Sequence, residues 1–303
     1  MDQVRKGAPG GAGTVIYLSI FGCSLVINSG VKEKIYGQNF KLMSTLYIVA
    51  TPIGNLEDIT LRALRILGEV DFILCEDTRI TKRLLDHYKI STPTISYHQH
   101  SDLNKIEHIL ELLSRGKSLA LVSDAGTPGI SDPGGKLVQA VIERFGADNE
   151  DGFGAKNTVQ IESVPGPSAV TAALSISGIP TDKFIFLGFP PHKKGRNKFL
   201  KRIFLSEYPV VVYESKHRII KFLEELKAMA EEIKREAPAA IKEKPYRKAK
   251  EEKKKKKEIT SVVVCRELSK MYETVYRGET GHIIEQIKGS PDDQKGEFVV
   301  IIA

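Results

Sequence analysis

The stretch SLALVSDAGTPGISDPG, Ser118–Gly134, decides the fold. Its first five residues are short and apolar, and the twelve that follow are turn chemistry rich in Gly, Pro, Asp and Ser. Such a pair reads as a buried strand that stops abruptly in a loop. The same grammar recurs upstream, where Leu46–Val49 runs into TPIGNLED (Thr51–Asp58) and Phe72–Cys75 runs into EDTR (Glu76–Arg79). Downstream, a fourth loop begins with PGPSA, Pro165–Ala169. Between the second and third strands, Asp102 can cap a helix in which Ile106, Ile109, Leu110 and Leu113 recur on one face. Strands separated by helices require right-handed crossovers and a largely parallel sheet, so the first domain is α/β. After Pro180 a second series follows, with strands at Phe184–Leu187, Pro209–Tyr213, Ile259–Cys265 and Phe298–Ile302. A helix over Lys216–Lys227 carries Ile219, Ile220, Leu223 and Leu226 at helical spacing. The expected organisation is two α/β domains, 43–180 and 181–303.

Composition narrows the class without naming an activity. An apolar fraction of 41% and a charged fraction of 27% are those of a globular chain, and 303 residues suit two cores. The net charge of +7 is local. Ile241–Glu258 holds ten Lys/Arg against four Asp/Glu, and Met1–Leu42 holds five against two, which leaves −2 for the rest. Binding to a polyanion must therefore come from particular patches and not from the overall field. Residues 228–258, ending in five lysines at Lys253–Lys257, read as a solvated insert. Thr14–Asn28 is apolar but too short and interrupted to span a membrane, and residues 1–42 read as an extension outside the fold. Cys23, Cys75 and Cys265 form no CxxC pair and suit a reducing cytoplasm. His98 and His100 alternate without a surrounding ligand set, so no metal is expected.

In an open α/β sheet, ligands collect beyond the carboxyl ends of the strands, where all four unusual loops fall. A Walker loop and a GxGxxG fingerprint are both absent from the sequence. What the loops share is Gly and Pro beside small hydroxyl and carboxylate side chains. This combination suits a ligand gripped through backbone amides and carbonyls, such as an adenosine with an amino-acid tail.

The strings LYIVATPIGNLEDITLRAL, EDTR, ALVSDAGTPGISDPG, PGPSAV, VVYESKHRI, CRELSKMYETVYRG and KGEFVV occur in this order between Leu46 and Val300. Together they resemble the ribosomal RNA (cytidine-2′-O)-methyltransferase branch of the tetrapyrrole methylases. That resemblance implies two α/β domains of the tetrapyrrole-methylase fold, with S-adenosylmethionine in the cleft between them. It implies cofactor contacts from Asp124, Ala125, Gly126, Thr127, Ile130, Ser131, Asp132, Pro133, Ser168 and Ala169, with Pro52, Gly54 and Asn55 nearby. Tyr213 and Gly278 would contribute from the second domain. The implied substrate is 16S ribosomal RNA or the small ribosomal subunit, and the implied assembly is a homodimer. Members of the branch commonly continue into a helical region after the strand that ends this sequence, a departure that bears on site selection.

Methyl transfer from a sulfonium is a direct displacement, helped by a base that takes the hydroxyl proton. Glu214, Asp77 and Glu267 are the candidate bases, each with the alternative that it only pairs with Arg79, Arg218 or Arg266. His192–Arg202 holds six Lys/Arg and no acid, which points to RNA phosphates at Lys193, Lys194, Arg196 and Lys198. Two other readings remain open from sequence: a small-molecule methylase of the same fold, and a non-catalytic RNA-binding assembly factor.

Overall fold

The computed structural model describes residues 15–20, 23–28, 44–98, 103–146, 159–239 and 261–303. Contacts divide the chain into two compact units, Met1–Leu42 and Met43–Ala303. In the first, β1 (Val15–Ile20) and β2 (Cys23–Asn28) pair as an antiparallel hairpin, with Val15 opposite Asn28 and Ile20 opposite Cys23. Among the described residues no helix is long and apolar enough to cross a membrane.

The second unit holds two five-stranded sheets. The first contains β3 (Thr45–Val49), β4 (Phe72–Cys75), β5 (Thr94–Ser96), β6 (Leu119–Leu121) and β7 (Gln160–Val164) in the order β5-β4-β6-β3-β7, all parallel. Its crossovers are α1 (Leu61–Glu69), α2 (Thr78–His87), α3 (Leu103–Ser114) and α4 (Gly135–Phe145), and α5 (Ala169–Ser177) follows β7. Strand alternation sends Leu46 and Ile48 to one face, against Ile109, Leu113 and Leu137. Tyr47 and Val49 go to the other, against Ala63, Ile66 and Leu67. Burial on both faces explains why these strands are nearly continuous apolar runs.

The second sheet contains β8 (Ile185–Gly188), β9 (Val210–Ser215), β10 (Val262–Arg266), β11 (Thr274–Gly278) and β12 (Glu297–Ile302) in the order β11-β10-β12-β9-β8. Only β8 and β9 are parallel; the other pairs are antiparallel. Helices α6 (Arg196–Phe204), α7 (Ile219–Ala239) and α8 (Thr280–Gly289) cover one face, packing Leu200, Phe222, Leu226 and Ile287 on Val210, Val212 and Phe298. The other face carries Val211, Val263 and Ile301, which share a core with Val170, Ala173 and Leu174 of α5. Pro180 thus lies between the sheets in sequence, while one apolar layer joins them in space.

One element departs from the sequence reading. Helix α7 does not end at Lys227 but continues to Ala239, and Met229, Ala230 and Ile233 lie against the core of the second sheet. The expected insert therefore begins later than Ala228. Its lysine-rich part, 240–258, lies outside the described residues, as do the polar stretch 148–157, His100 and Asp102, the expected cap of α3.

Candidate active site

The loops after the first-sheet strands are knitted to one another. Thr51 and Gly126 exchange both backbone hydrogen bonds, at 2.9 and 3.0 Å, and the Thr51 hydroxyl donates to the Ser123 carbonyl at 3.1 Å. The Asp77 amide donates to Asp124 Oδ1 at 3.1 Å, which joins the second loop to the third. The Thr127 hydroxyl donates to the Pro167 carbonyl at 3.2 Å, which joins the third to the fourth. Buried polar groups satisfied in this way hold the loop ends in fixed positions.

Between this edge and the second sheet lies a cavity of about 700 Å³. The size is that of a site for a nucleoside-sized ligand. Of the residues expected at a cofactor, Asp124, Ala125, Gly126, Thr127, Ile130, Asp132, Ser168, Ala169 and Tyr213 line it. Pro52, Gly54, Asn55, Ser131, Pro133 and Gly278 are not in its wall. Asn55 instead caps the short turn Leu56–Asp58 by accepting from the Glu57 amide at 3.1 Å. Gly54 packs on Lys270, so closely that a Cβ there would lie 2.3 Å from Lys270 Cγ. Ser131 holds a left-handed φ of 64° and places its Oγ against Gly188, where a Cβ would be 2.9 Å away. Gly278 ends the edge strand β11.

Sequence reasoning named no role for several wall residues, among them Glu76, Phe189, Lys216, His217, Lys270 and Glu297. Glu76, Lys216, His217, Lys270 and Glu297 sat inside quoted motif strings. Phe189 carried no signal, because an apolar residue after a strand reads as core.

The three candidate bases have separate environments. Asp77 is the N-cap of α2 and accepts from the Arg79 amide and guanidinium, which hold its carboxyl below the usual carboxylate range. It is not in the cavity wall. Glu214 has no exposed side-chain surface; Oε1 takes the Ser215 amide at 2.8 Å and Arg218 at 2.8 Å, and Oε2 is buried without a partner. Burial pushes its carboxyl up, opposed by the Ser215 amide, Arg218 and Arg196. Glu267 lines the cavity, and Lys270 and the Glu297 amide occupy its Oε1 at 2.9 and 2.8 Å. Burial raises this carboxyl, but those two contacts outweigh it and hold the group low. Arg266 is not the partner of Glu267: its guanidinium donates to the carbonyls of Lys295, Tyr272 and Asp292.

Three wall carboxylates, Glu76, Asp124 and Asp132, have no Lys or Arg ion pair among the described residues. Burial, then the charge of Glu76, pushes Asp132 up to about 6; Asp124 and Glu297 add to this and a Ser123 hydrogen bond opposes it. Burial and the neighbouring Asp124 and Asp77 also raise Glu76, with His98 opposing. The cavity is thus negative on its first-sheet side. No group of three or more His, Cys, Asp or Glu is placed to hold a metal among the described residues.

On the basic segment, Lys193, Lys194 and Lys198 are exposed. Arg196 is not: it is 7% exposed, and it donates to Glu225 at 2.6 Å and to the Pro191 carbonyl at 3.0 Å. Its expected place among the phosphate contacts is therefore corrected, since a buried guanidinium held by Glu225 and the Pro191 carbonyl cannot also reach a solvent phosphate.

The family model for Tetrapyrrole (Corrin/Porphyrin) Methylases matches residues 45–284, which takes in all four loops and most of the cavity wall. The chain belongs to the tetrapyrrole methylase family. Within it, the chain is 39% identical over 260 residues to ribosomal RNA small subunit methyltransferase I of Hydrogenobaculum sp., covering 85% of this chain and 95% of that protein. It is 38% identical over 258 residues to the protein of the same name from Escherichia coli O157:H7, covering 85% and 77%. The solved structure of cobalt precorrin-4 methyltransferase, a cobalamin biosynthetic enzyme, matches with a TM-score of 0.56 and 18% identity over 89% of this chain and 98% of that one. At that identity the likeness concerns the fold alone. For a tetrapyrrole methylase the wall fits S-adenosylmethionine on chemical grounds. A sulfonium and an ammonium would find there carboxylates not already paired with Lys or Arg.

Proposed function

We propose that the chain transfers a methyl group from S-adenosylmethionine to the 2′-hydroxyl of a cytidine ribose in 16S ribosomal RNA. The observation that carries this reading is the cavity: four cross-linked loops, a second sheet closing over them, and carboxylates free to face a cationic donor. The names of the relatives supply the substrate class.

When bound, S-adenosylmethionine supplies an electrophilic methyl on a sulfonium. The work left to the protein is to hold, orient and deprotonate the acceptor. Asp124–Thr127, Ile130, Ser168, Ala169 and Tyr213 would hold the donor. Pro52, Gly54, Asn55, Ser131, Pro133 and Gly278 would act by shaping or backing its loops. Of the candidate bases in the wall, Glu214 is closed off by Arg218 and Glu267 is occupied by Lys270. Asp132, one of the three wall carboxylates without a cation, is ionised above about pH 6, which suits it to take the hydroxyl proton at neutral pH. Lys193, Lys194 and Lys198 would contact RNA phosphates. The protein would work in the cytoplasm as a homodimer, which light scattering of the purified chain tests directly.

The deciding experiment incubates the protein with unmethylated small ribosomal subunits and labelled cofactor, followed by nucleoside mass spectrometry. The expected product is 2′-O-methylcytidine. Label on a base, or no label in RNA, would overturn the reading.

A further inference from the structure

Phe189 is an aromatic residue in the cavity wall that remains 52% exposed. Its exposure is built, not loose. The β8–β9 pairing breaks register between Phe186 and Gly188, and Gly188 takes a left-handed φ of 66°, which turns the chain out of the sheet just before Phe189. Beyond it, the Pro190 carbonyl accepts from Arg218 and the Pro191 carbonyl from Arg196, each at 3.0 Å. Those arginines are themselves anchored on Glu214 and Glu225. One side of the ring meets Tyr213 edge-on, with centroids 5.4 Å apart and planes at 61°.

Lys216 and His217 line the same cavity, are exposed, and have no hydrogen-bond or ion-pair partner among the described residues. Lys193 and Lys194 follow Pro190–Pro191 after one intervening residue, His192. A fixed, half-open aromatic ring beside an unpaired lysine and an imidazole is the arrangement that receives an unstacked base and its phosphate.

We propose that Phe189 is the platform on which the base of the target nucleotide stacks, with Lys216 and His217 contacting the adjoining phosphate; this rests on the reading of the cavity as a ribosomal RNA methylation site. The Glu214–Arg218 and Arg196–Glu225 pairs are positioning residues that hold the platform at the mouth of the cavity. The ring presents a flat apolar face that any base can cover. Choice of nucleotide therefore falls to other contacts, while Phe189 fixes where the ribose hydroxyl sits relative to Asp132.

The chain contains no tryptophan, so Phe189→Trp introduces a single indole at the proposed contact. Full-length F189W protein is titrated with short single-stranded oligocytidylate and, separately, with an abasic sugar-phosphate oligomer of the same length. Quenching by the first and not by the second is the expected result. In parallel, Phe189→Ala lowers kcat/KM for small-subunit RNA by about 5- to 150-fold, the loss expected for one base stack. Phe189→Tyr restores it, and calorimetric affinity for S-adenosylmethionine falls by far less than kcat/KM does in F189A. Equal quenching by the abasic oligomer, quenching by the cofactor alone, or an unchanged kcat/KM in F189A overturns the proposal. If wild-type protein leaves ribosomal RNA unmethylated while oligocytidylate still quenches F189W, the methylation reading falls and the base platform stands.

Discussion

Glu214 is the extreme case of a charge without solvent: its side chain has no exposed surface and its compensation comes from Arg218 and the Ser215 amide. Removing one partner of such a pair leaves the other buried and uncompensated. Glu214→Ala is expected to lower unfolding free energy by about 3–5 kcal/mol in urea melts. Asp132 makes the opposite case. Its folded-state carboxyl is raised above the unfolded value, so its favourable contribution is complete below about pH 4 and is lost as pH rises through about 6. Asp132→Asn is therefore expected to gain on the order of 1 kcal/mol at neutral pH, after allowance for solvent screening. The same substitution should lower kcat by about 10²–10⁴-fold, the usual worth of a positioned base. In the wild type, kcat should rise as pH passes through about 6, and a flat profile would remove Asp132 from the reaction. A variant that is more stable and slower separates a chemical role from a structural one.

At the scale of elements, the loops matter through contacts their sequence does not announce. Gly54 abuts Lys270, which holds both Glu267 and Glu297 in the cavity wall. Gly54→Ala should cost about 1–3 kcal/mol by overpacking and, by displacing Lys270, weaken cofactor binding in calorimetry; retained affinity would argue that the two loops move apart freely. Helix α7 buries Leu223 and Leu226 against the second sheet. Leu226→Ala should cost about 2–5 kcal/mol. Strand β5 escaped sequence reading because three half-buried residues at a sheet edge show no period, and β11 was legible only as part of a motif string. The end of α7 was misjudged because Met229, Ala230 and Ile233 are diluted by Lys and Glu on the exposed faces.

Across the whole molecule, charge is sorted and not uniform. Glu76, Asp124 and Asp132 gather on the first-sheet side of the cavity, while Lys216 lines it from the second-sheet side and Lys193, Lys194 and Lys198 are exposed on the same half of the fold. A cationic donor and a polyanionic acceptor thus approach from differently charged sides. Each lysine that neutralises a phosphate contributes about 0.7–0.9 to the slope of log K against log salt. Replacing Lys193, Lys194 and Lys198 together by Ala should reduce that slope by about 2–3 without altering the melting temperature. Arg196→Ala should instead destabilise the fold, because its guanidinium is bound to Glu225 and Pro191. An unchanged salt slope in the triple variant would place the RNA elsewhere.

The sequence alone determined the parallel α/β character of the first sheet, the four ligand loops and the family motifs. All of these are written in local periodicity and turn residues, which act over a few positions of the chain. The tertiary structure alone decided which residues of those loops face the cavity, which carboxylates are neutralised, and that Phe189 is held open. Those outcomes depend on partners far apart in sequence, such as Gly54 with Lys270 and Pro190 with Arg218, and pairings of that kind leave no local pattern.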